Sequence, residues 1–175
     1  MAEFSSNDQG ADGSGSGTAN GATGETSRKF NLRLIYLKDL SFEAPNSPGI
    51  LTETGLEPEF NLNLRTSHRD LGGGIFEVVL HVNVHGVDGK RTMFLVELEQ
   101  AGTFQISGYS PEETRTIVGV TCPNVLFPYA REAVSSILTR GSFSQLLLKP
   151  IDFAALFERA QASSRDAVTP PAGQA

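Results

Sequence analysis

The sequence predicts an α+β domain, a four-stranded antiparallel sheet with helices packed on one of its faces. Two periods and one turn predict it. Through the first half of the chain apolar residues recur at every second position, the spacing of a half-buried strand; through the second they recur at every third or fourth, the spacing of an amphipathic helix. An Asp-Gly pair separates the two cleanest alternating runs, as a tight hairpin requires. Strands that precede the helices, rather than alternating with them, make the class α+β.

The first strand falls within Phe30 to Glu43, a stretch rich in Leu, Ile, Tyr and Phe that alternates unevenly. The second is carried by Phe60, Leu62 and Leu64, separated by Asn61 and Asn63 and followed by Arg65. The third puts Phe76, Val78, Leu80, Val82 and Val84 on one face, with Glu77, Val79, His81, Asn83 and His85 on the other. After the turn Val87-Asp88-Gly89-Lys90, the fourth has Phe94, Val96 and Leu98 opposite Met93, Leu95, Glu97 and Glu99. Gly102 then reads as a bulge before Phe104 and Ile106 resume the pattern.

Ser110-Pro111-Glu112-Glu113 forms a capping box with proline at the first helical position, so a short helix opens there. The principal helix follows Cys122-Pro123-Asn124. Its stripe is Ala130, Ala133, Val134, Ile137 and Leu138, and Gly141 is its C′ stop. A last helix starts at Asp152 as N-cap, with Phe153, Leu156, Phe157 and Ala160 on one side.

The flanks differ in composition. From Ser5 to Ser27 there is no large apolar side chain among the Gly, Ser, Thr and Asn, so residues 1–29 read as a disordered tail. Residues 162–175, with Pro170 and Pro171, read the same way, leaving one folded domain over 30–161. A chain of 175 residues buries about 70% of its unfolded surface, enough for a core without metal or disulfide support.

The net charge of −6 argues against a phosphate backbone as partner, so no nucleic acid is expected. No run of eighteen apolar residues occurs, and no apolar segment follows a basic one near Met1; neither membrane insertion nor a signal peptide is expected. A single cysteine suits a reducing compartment.

No catalytic group assembles from these residues. His81 and His85 stand four apart on a strand, hence about 13 Å apart, too far to share a metal. Cys122 lacks a neighbouring histidine and reads as a small buried hydrophobe. Gly72-Gly73-Gly74 lacks the helix and lysine of a phosphate loop and reads as a flexible connection.

Two features remain for function. The sheet face away from the helices carries Glu77, Glu97 and Glu99 beside Leu95, Val79 and Met93. That mixture admits acid/base or cation chemistry, a plain solvated face, or docking of a basic partner around Leu95. Apolar residues are also in excess, among them Phe42, Leu56, Phe60, Phe104, Phe127, Tyr129, Phe143 and Leu146 to Leu148. Oligomerisation or an apolar groove would use them.

Tyr36-Leu-Lys-Asp-Leu-Ser-Phe-Glu-Ala-Pro-Asn46 with Pro48, Phe76-Glu-Val-Val-Leu80, Cys122-Pro-Asn-Val-Leu-Phe-Pro-Tyr-Ala-Arg-Glu132, Arg140-Gly141 and Phe153-Ala-Ala-Leu-Phe157 resemble the SecB family of bacterial export chaperones, over residues 30–158. The resemblance implies a homotetramer, a dimer of dimers with helices between two sheets. It implies a cytoplasmic chaperone, not an enzyme, that needs no cofactor. Such a chaperone binds unfolded precursor proteins in apolar grooves and delivers them to the SecA translocation ATPase.

By the same resemblance Asp39, Glu43, Leu95 and Glu97 make the SecA contact. They would meet SecA's zinc-bearing C-terminal tail, so the zinc belongs to the partner. Leu56, Phe60, Leu62, Leu64, Phe104, Leu146 and Leu148 are the implied client groove. Leu56 stands where some members carry tryptophan, and Ser144 where others carry proline. The alternatives are a specialised member of the fold guarding one client, such as an antitoxin, and an apolar-ligand carrier.

Overall fold

The computed structural model describes residues 27–166. The expected N-terminal tail lies outside these residues up to position 26, as does the C-terminal one from position 167. Four strands form one antiparallel sheet: β1 (Lys29–Glu43), β2 (Glu59–Gly72), β3 (Ile75–Asp88) and β4 (Arg91–Ser107), in the order β1-β4-β3-β2. Both β1 and β2 are therefore edges. A four-residue helix, α1 (Gly49–Thr52), interrupts the β1–β2 connection; no sequence pattern signals so short an element.

The two hairpins are tight. β2 and β3 turn through Gly73 and Gly74, whose φ angles of 62° and 74° are open to glycine at no steric cost, so the triglycine is a defined turn rather than a loose connection. β2 runs to Gly72, well beyond Arg65, because its polar half, Thr66 to Asp70, pairs rung by rung with Leu80 to Phe76.

Three irregularities correct the simple alternation. β1 gains extra residues between Leu32 and Leu34 and between Leu37 and Asp39, which is why its pattern reads unevenly. In β4 the register slips between Gly86 and Val87, whose partners are Phe94 and Thr92, so Met93 is the unpaired residue of the bulge. Met93 turns into the core beside Phe94 instead of facing outward. Gly102, by contrast, pairs with Val78 in unbroken register. Its lack of a side chain makes room: a Cβ there would lie 2.9 Å from Leu126 and 3.0 Å from the Leu34 carbonyl.

The core lies between sheet and helices. β3 contributes Val78, Leu80, Val82 and Val84, and β4 contributes Phe94, Val96, Leu98, Phe104 and Ile106. Facing them is α3 (Cys122–Arg140), which buries Cys122, Leu126, Ala130, Val134 and Leu138, one residue per turn. Ala133 and Ile137 flank that stripe, half-buried.

The helical half starts as expected. In α2 (Pro111–Thr116) the Ser110 hydroxyl accepts from the Glu113 N–H at 3.2 Å, while the Ser110 N–H donates to the Glu113 carboxylate at 2.9 Å. A π-helical turn, Ile117–Thr121, then joins α2 to α3, its wider ring closed by the Cys122 N–H on the Ile117 carbonyl. Pro123 gives the reason, since its ring would crowd the Gly119 carbonyl four residues back in a regular helix.

α3 ends in a Schellman cap: the Ser142 N–H donates to the Thr139 carbonyl and the Phe143 N–H to the Leu138 carbonyl, at 3.1 and 3.0 Å. The left-handed residue is Ser142, with φ 63°; Gly141 keeps φ at −77° and is needed for space, because a Cβ there would lie 2.3 Å from the Phe42 ring. α4 (Phe153–Asp166) begins at Asp152, whose carboxylate accepts the Ala155 N–H at 3.0 Å, and continues five residues past the boundary expected at 161.

Candidate functional site

Two surfaces collect the residues singled out in the sequence, one on each side of the sheet. On the outer face, away from α3, register builds rungs across the strands. Asp39 pairs with Glu99, Glu99 with His81, and His81 with Arg65; the next rung runs Ser41, Glu97, Asn83, Asn63; the next runs Glu43, Leu95, His85, Asn61. Asp39, Glu43, Leu95 and Glu97 thus share one face over three consecutive rungs. The unpaired Lys38 precedes Asp39, so Asp39 and Glu43 keep common parity.

A depression of about 300 Å³ opens beside them, lined by Asp39, Asn63, Arg65, His81, Asn83, Glu97, Leu98 and Glu99. His81 Nδ1 lies 3.1 Å from Glu99, and its Nε2 shares a hydrogen bond with Ser67 at 2.8 Å. Asn83 donates to Glu97 at 3.4 Å. Asp39, Glu43 and Glu97 remain exposed and Leu95 half-exposed, so an acidic surface surrounds one apolar side chain. Glu99, His81 and Arg65 belong to this surface as well, and cross-strand pairing is the signal that identifies them.

Glu77 and Val79 also point outward but are closed over, at 7% and 4% exposure. The Glu77 carboxylate accepts the Tyr36 hydroxyl, Lys38 Nζ at 3.0 Å and Arg69 at 3.2 Å. Those donors, the tyrosine first, hold the carboxyl below its ordinary range, while the same hydrogen bond helps push Tyr36 up to about 12. This cluster is structural. Among the described residues no group of three or more His, Cys, Asp or Glu is arranged to hold a metal ion.

The second surface runs along β2 on the helix side. Phe60, Leu62 and Leu64 pair with Gly86, Val84 and Val82, so all three face toward the helices. Beyond the sheet edge, however, Phe60 and Leu62 stay 46% and 38% exposed. Two adjoining cavities follow them. One, about 330 Å³, is lined by Leu64, Phe153, Leu156 and Phe157 with Arg65, His68 and Arg115. The other, about 510 Å³, is lined by Leu62, Leu64, Pro150, Ile151 and Leu156 with Asp152 and Arg159. Together they form a trough between β2 and α4, sharing Leu64 and Leu156.

From Phe60 an aromatic row runs across the helix side of the sheet, outside the two cavities: Phe60 stacks on Phe94 at 6.0 Å, Phe94 meets Phe143 edge-on at 5.1 Å, and Phe143 meets Phe42 at 6.2 Å. Gly86 leaves the space in which the Phe94 ring lies, only 2.6 Å from where a Cβ would stand.

Of the groove residues suggested by the resemblance, Leu62 and Leu64 line this trough, and Phe60 lies beside it on β2 without lining either cavity. Phe104 is fully buried, stacked under Phe30 at 5.9 Å, and Leu148 is buried in the same core. Leu56 and Leu146 are half-buried against the core. Ile151, Leu156 and Phe157 complete the trough, the last two legible in the stripe of the final helix.

A family model described as "Preprotein translocase subunit SecB" matches residues 23–164. The chain is 45% identical over 130 residues to the "Protein-export protein SecB" of Hydrogenovibrio crunogenus, covering 74% of this chain and 87% of that protein. It is 44% identical over 140 residues to the same-named protein of Nitrosococcus oceani, covering 79% and 85%. Among solved structures, the SecB-like chaperone of Mycobacterium tuberculosis in complex with a ChAD peptide from the HigA1 antitoxin shares the fold, with a TM-score of 0.60 and 18% identity over 70% of this chain and 90% of that one.

Proposed function

The chain belongs to the SecB family and is a protein-export chaperone; from that premise we propose that it holds unfolded precursor proteins in the β2–α4 trough and passes them to SecA through its acidic outer face. Asp39, Glu43, Glu97 and Leu95 are the docking residues, and SecA's zinc-bearing C-terminal tail is their partner. The observation that carries the reading is the separation of two surfaces of opposite chemistry on opposite sides of one sheet. A client on the apolar side leaves the acidic side free, so one molecule can hold cargo and engage SecA together.

An unfolded chain exposes apolar side chains, and a trough without a fixed pattern of polar partners binds them with little sequence preference. Work of this kind breaks no bond, and the protein acts without cofactor in the cytoplasm. No described helix is long and apolar enough to cross a membrane.

Assembly as a dimer of dimers suits the apolar residues left exposed. Tyr129 is half exposed and Leu147 more so on the α3 side, and Phe30, Leu32, Leu34 and Leu37 line the β1 edge. Several troughs on one particle bind one client by many weak contacts. Identity near 45% to export chaperones, against 18% to the antitoxin-peptide complex, favours general export over service to one client.

Light scattering of the protein alone and with an unfolded polypeptide tests this. A mass of four chains that rises with unfolded but not folded client supports it; a client-blind monomer overturns it.

A further inference from the structure

We propose that Glu77 is a positioning residue for SecA docking: besides tying strands together, it draws Lys38 away from the carboxylates of the outer face and so keeps them free for a basic partner. The inference rests on the reading of Asp39, Glu43, Leu95 and Glu97 as the docking surface.

The second bulge of β1 creates the need. Leu37 stands opposite Gln100 and Asp39 opposite Glu99, with Lys38 unpaired between them. The extra residue breaks the alternation, and Lys38 and Asp39 both lie on the outer face, where Lys38 Nζ meets Glu77 and Asp39 lines the depression. A cation therefore stands next to one docking carboxylate, with Glu99 across the strand. Its flexible four-carbon stem gives the ammonium access to either.

Glu77 directs it elsewhere. It sits on the rung Leu34, Thr103, Glu77, Arg69, two outward-facing rungs away from Asp39 and Glu99. Lys38 Nζ reaches back to it at 3.0 Å, alongside the Tyr36 hydroxyl and Arg69. A nearly buried carboxylate attracts the ammonium more strongly than the exposed Asp39 does, because less water screens it. The result is visible on the docking face: among the described residues Asp39, Glu43 and Glu97 enter no ion pair, although Lys38 adjoins Asp39. Arg65, on the same rung as Asp39, stands three strands away, roughly 14 Å. A carboxylate already paired within the chain must give up its cation before it takes a partner's, so a released Lys38 would compete with the basic tail.

The test titrates SecA against the full chain and its variants at low ionic strength, with sucrose in every sample to keep weakened variants folded, and with native mass and client affinity as checks of the fold. Glu77→Gln releases Lys38 and is expected to weaken SecA binding about three- to fivefold, the gap closing as salt is added. Lys38→Gln should bind as the parent does. The double variant Glu77→Gln/Lys38→Gln should recover the parent's SecA affinity while its thermal midpoint stays at or below that of Glu77→Gln, a rescue that a merely structural role would not produce. Tyr36→Phe loosens the same cluster without releasing Lys38 and should keep its affinity. Parental affinity in Glu77→Gln, no rescue in the double variant, or an equal loss in Tyr36→Phe overturns the inference, and the docking reading stands so long as Asp39→Asn binds SecA more weakly than the parent. Asp39→Asn binding as tightly as the parent overturns the docking reading, and the inference with it.

Discussion

The Tyr36 hydroxyl donates a hydrogen bond to the Glu77 carboxylate, reaching from β1 across β4 to β3 on the outer face of the sheet. It ties an edge strand to the central one, and Lys38 and Arg69 converge on the same carboxylate from both sides.

Glu77 is held below its ordinary value, so its share of the stability is complete above about pH 4.3, the unfolded value, and is lost as pH falls through the lower, folded value. Glu77→Gln is expected to cost about 1–3 kcal/mol at neutral pH by leaving its donors under-satisfied, and its deficit should shrink in acid. Urea midpoints for both proteins across that range check it. Parallel profiles would remove Glu77 from the account of acid stability.

Phe60 and Phe104 separate client contact from folding. Phe60→Ser removes half-exposed apolar surface on β2 beside the trough and should weaken binding of an unfolded client several-fold with a modest loss of stability. Phe104→Ala opens a cavity in the closed core at a cost of about 3–5 kcal/mol. Client affinity and thermal midpoint measured on each variant tell them apart. If Phe60→Ser binds client as well as the parent does, the client contact does not extend along β2 to Phe60.

Much of this was readable in advance wherever one rule acted alone. Strict alternation located β3, and the i, i+4 stripe with the Pro123 signal located α3. Ser110 with Glu113, and Asp152, marked helix starts because their chemistry is local. What escaped were features set by a partner strand or helix. Met93 alternates as an outward residue, and only the slip opposite Gly86 turns it inward. Gly102 looks like a bulge, but Leu126 is what requires it. Phe104 and Phe60 have the same parity relative to the helices, yet one lies on a central strand and the other on an edge, and sheet order alone makes one core and the other surface. The outer rung Asp39, Glu99, His81, Arg65 draws one residue from each strand, so no stretch of sequence displays it.

Gly119 faces α4 so closely that a Cβ would lie 2.4 Å from the Phe157 ring. Gly119→Ala should therefore push α4 from the π-helical turn and cost about 1–3 kcal/mol. Hydrogen exchange in α4 should quicken while exchange in β3 and β4 changes less. Uniform quickening throughout would show that α4 is not separately coupled through this contact.

Burial pushes the Cys122 thiol up to about 12, since its surroundings in the core disfavour the thiolate. At pH 8 the native protein should resist a disulfide exchange reagent and release one thiol per chain only when denatured. Fast native reaction would mean that the first turn of α3 opens readily.

Asp39 and Glu97 lie on neighbouring rungs of the outer face, remote from the trough, so reversing their charge should separate the two activities. Asp39→Lys/Glu97→Lys is expected to weaken SecA binding at least tenfold, with the loss largest at low salt, because exposed charges act mainly on encounter and are screened. Both side chains are exposed, so the fold should tolerate the change. Client affinity should stay where it is, since the sheet lies between the two surfaces. Titrating SecA and an unfolded client separately against the variant decides the matter. Loss of both would mean that the charges support the sheet rather than dock a partner, and loss of neither would move the SecA contact elsewhere on the molecule.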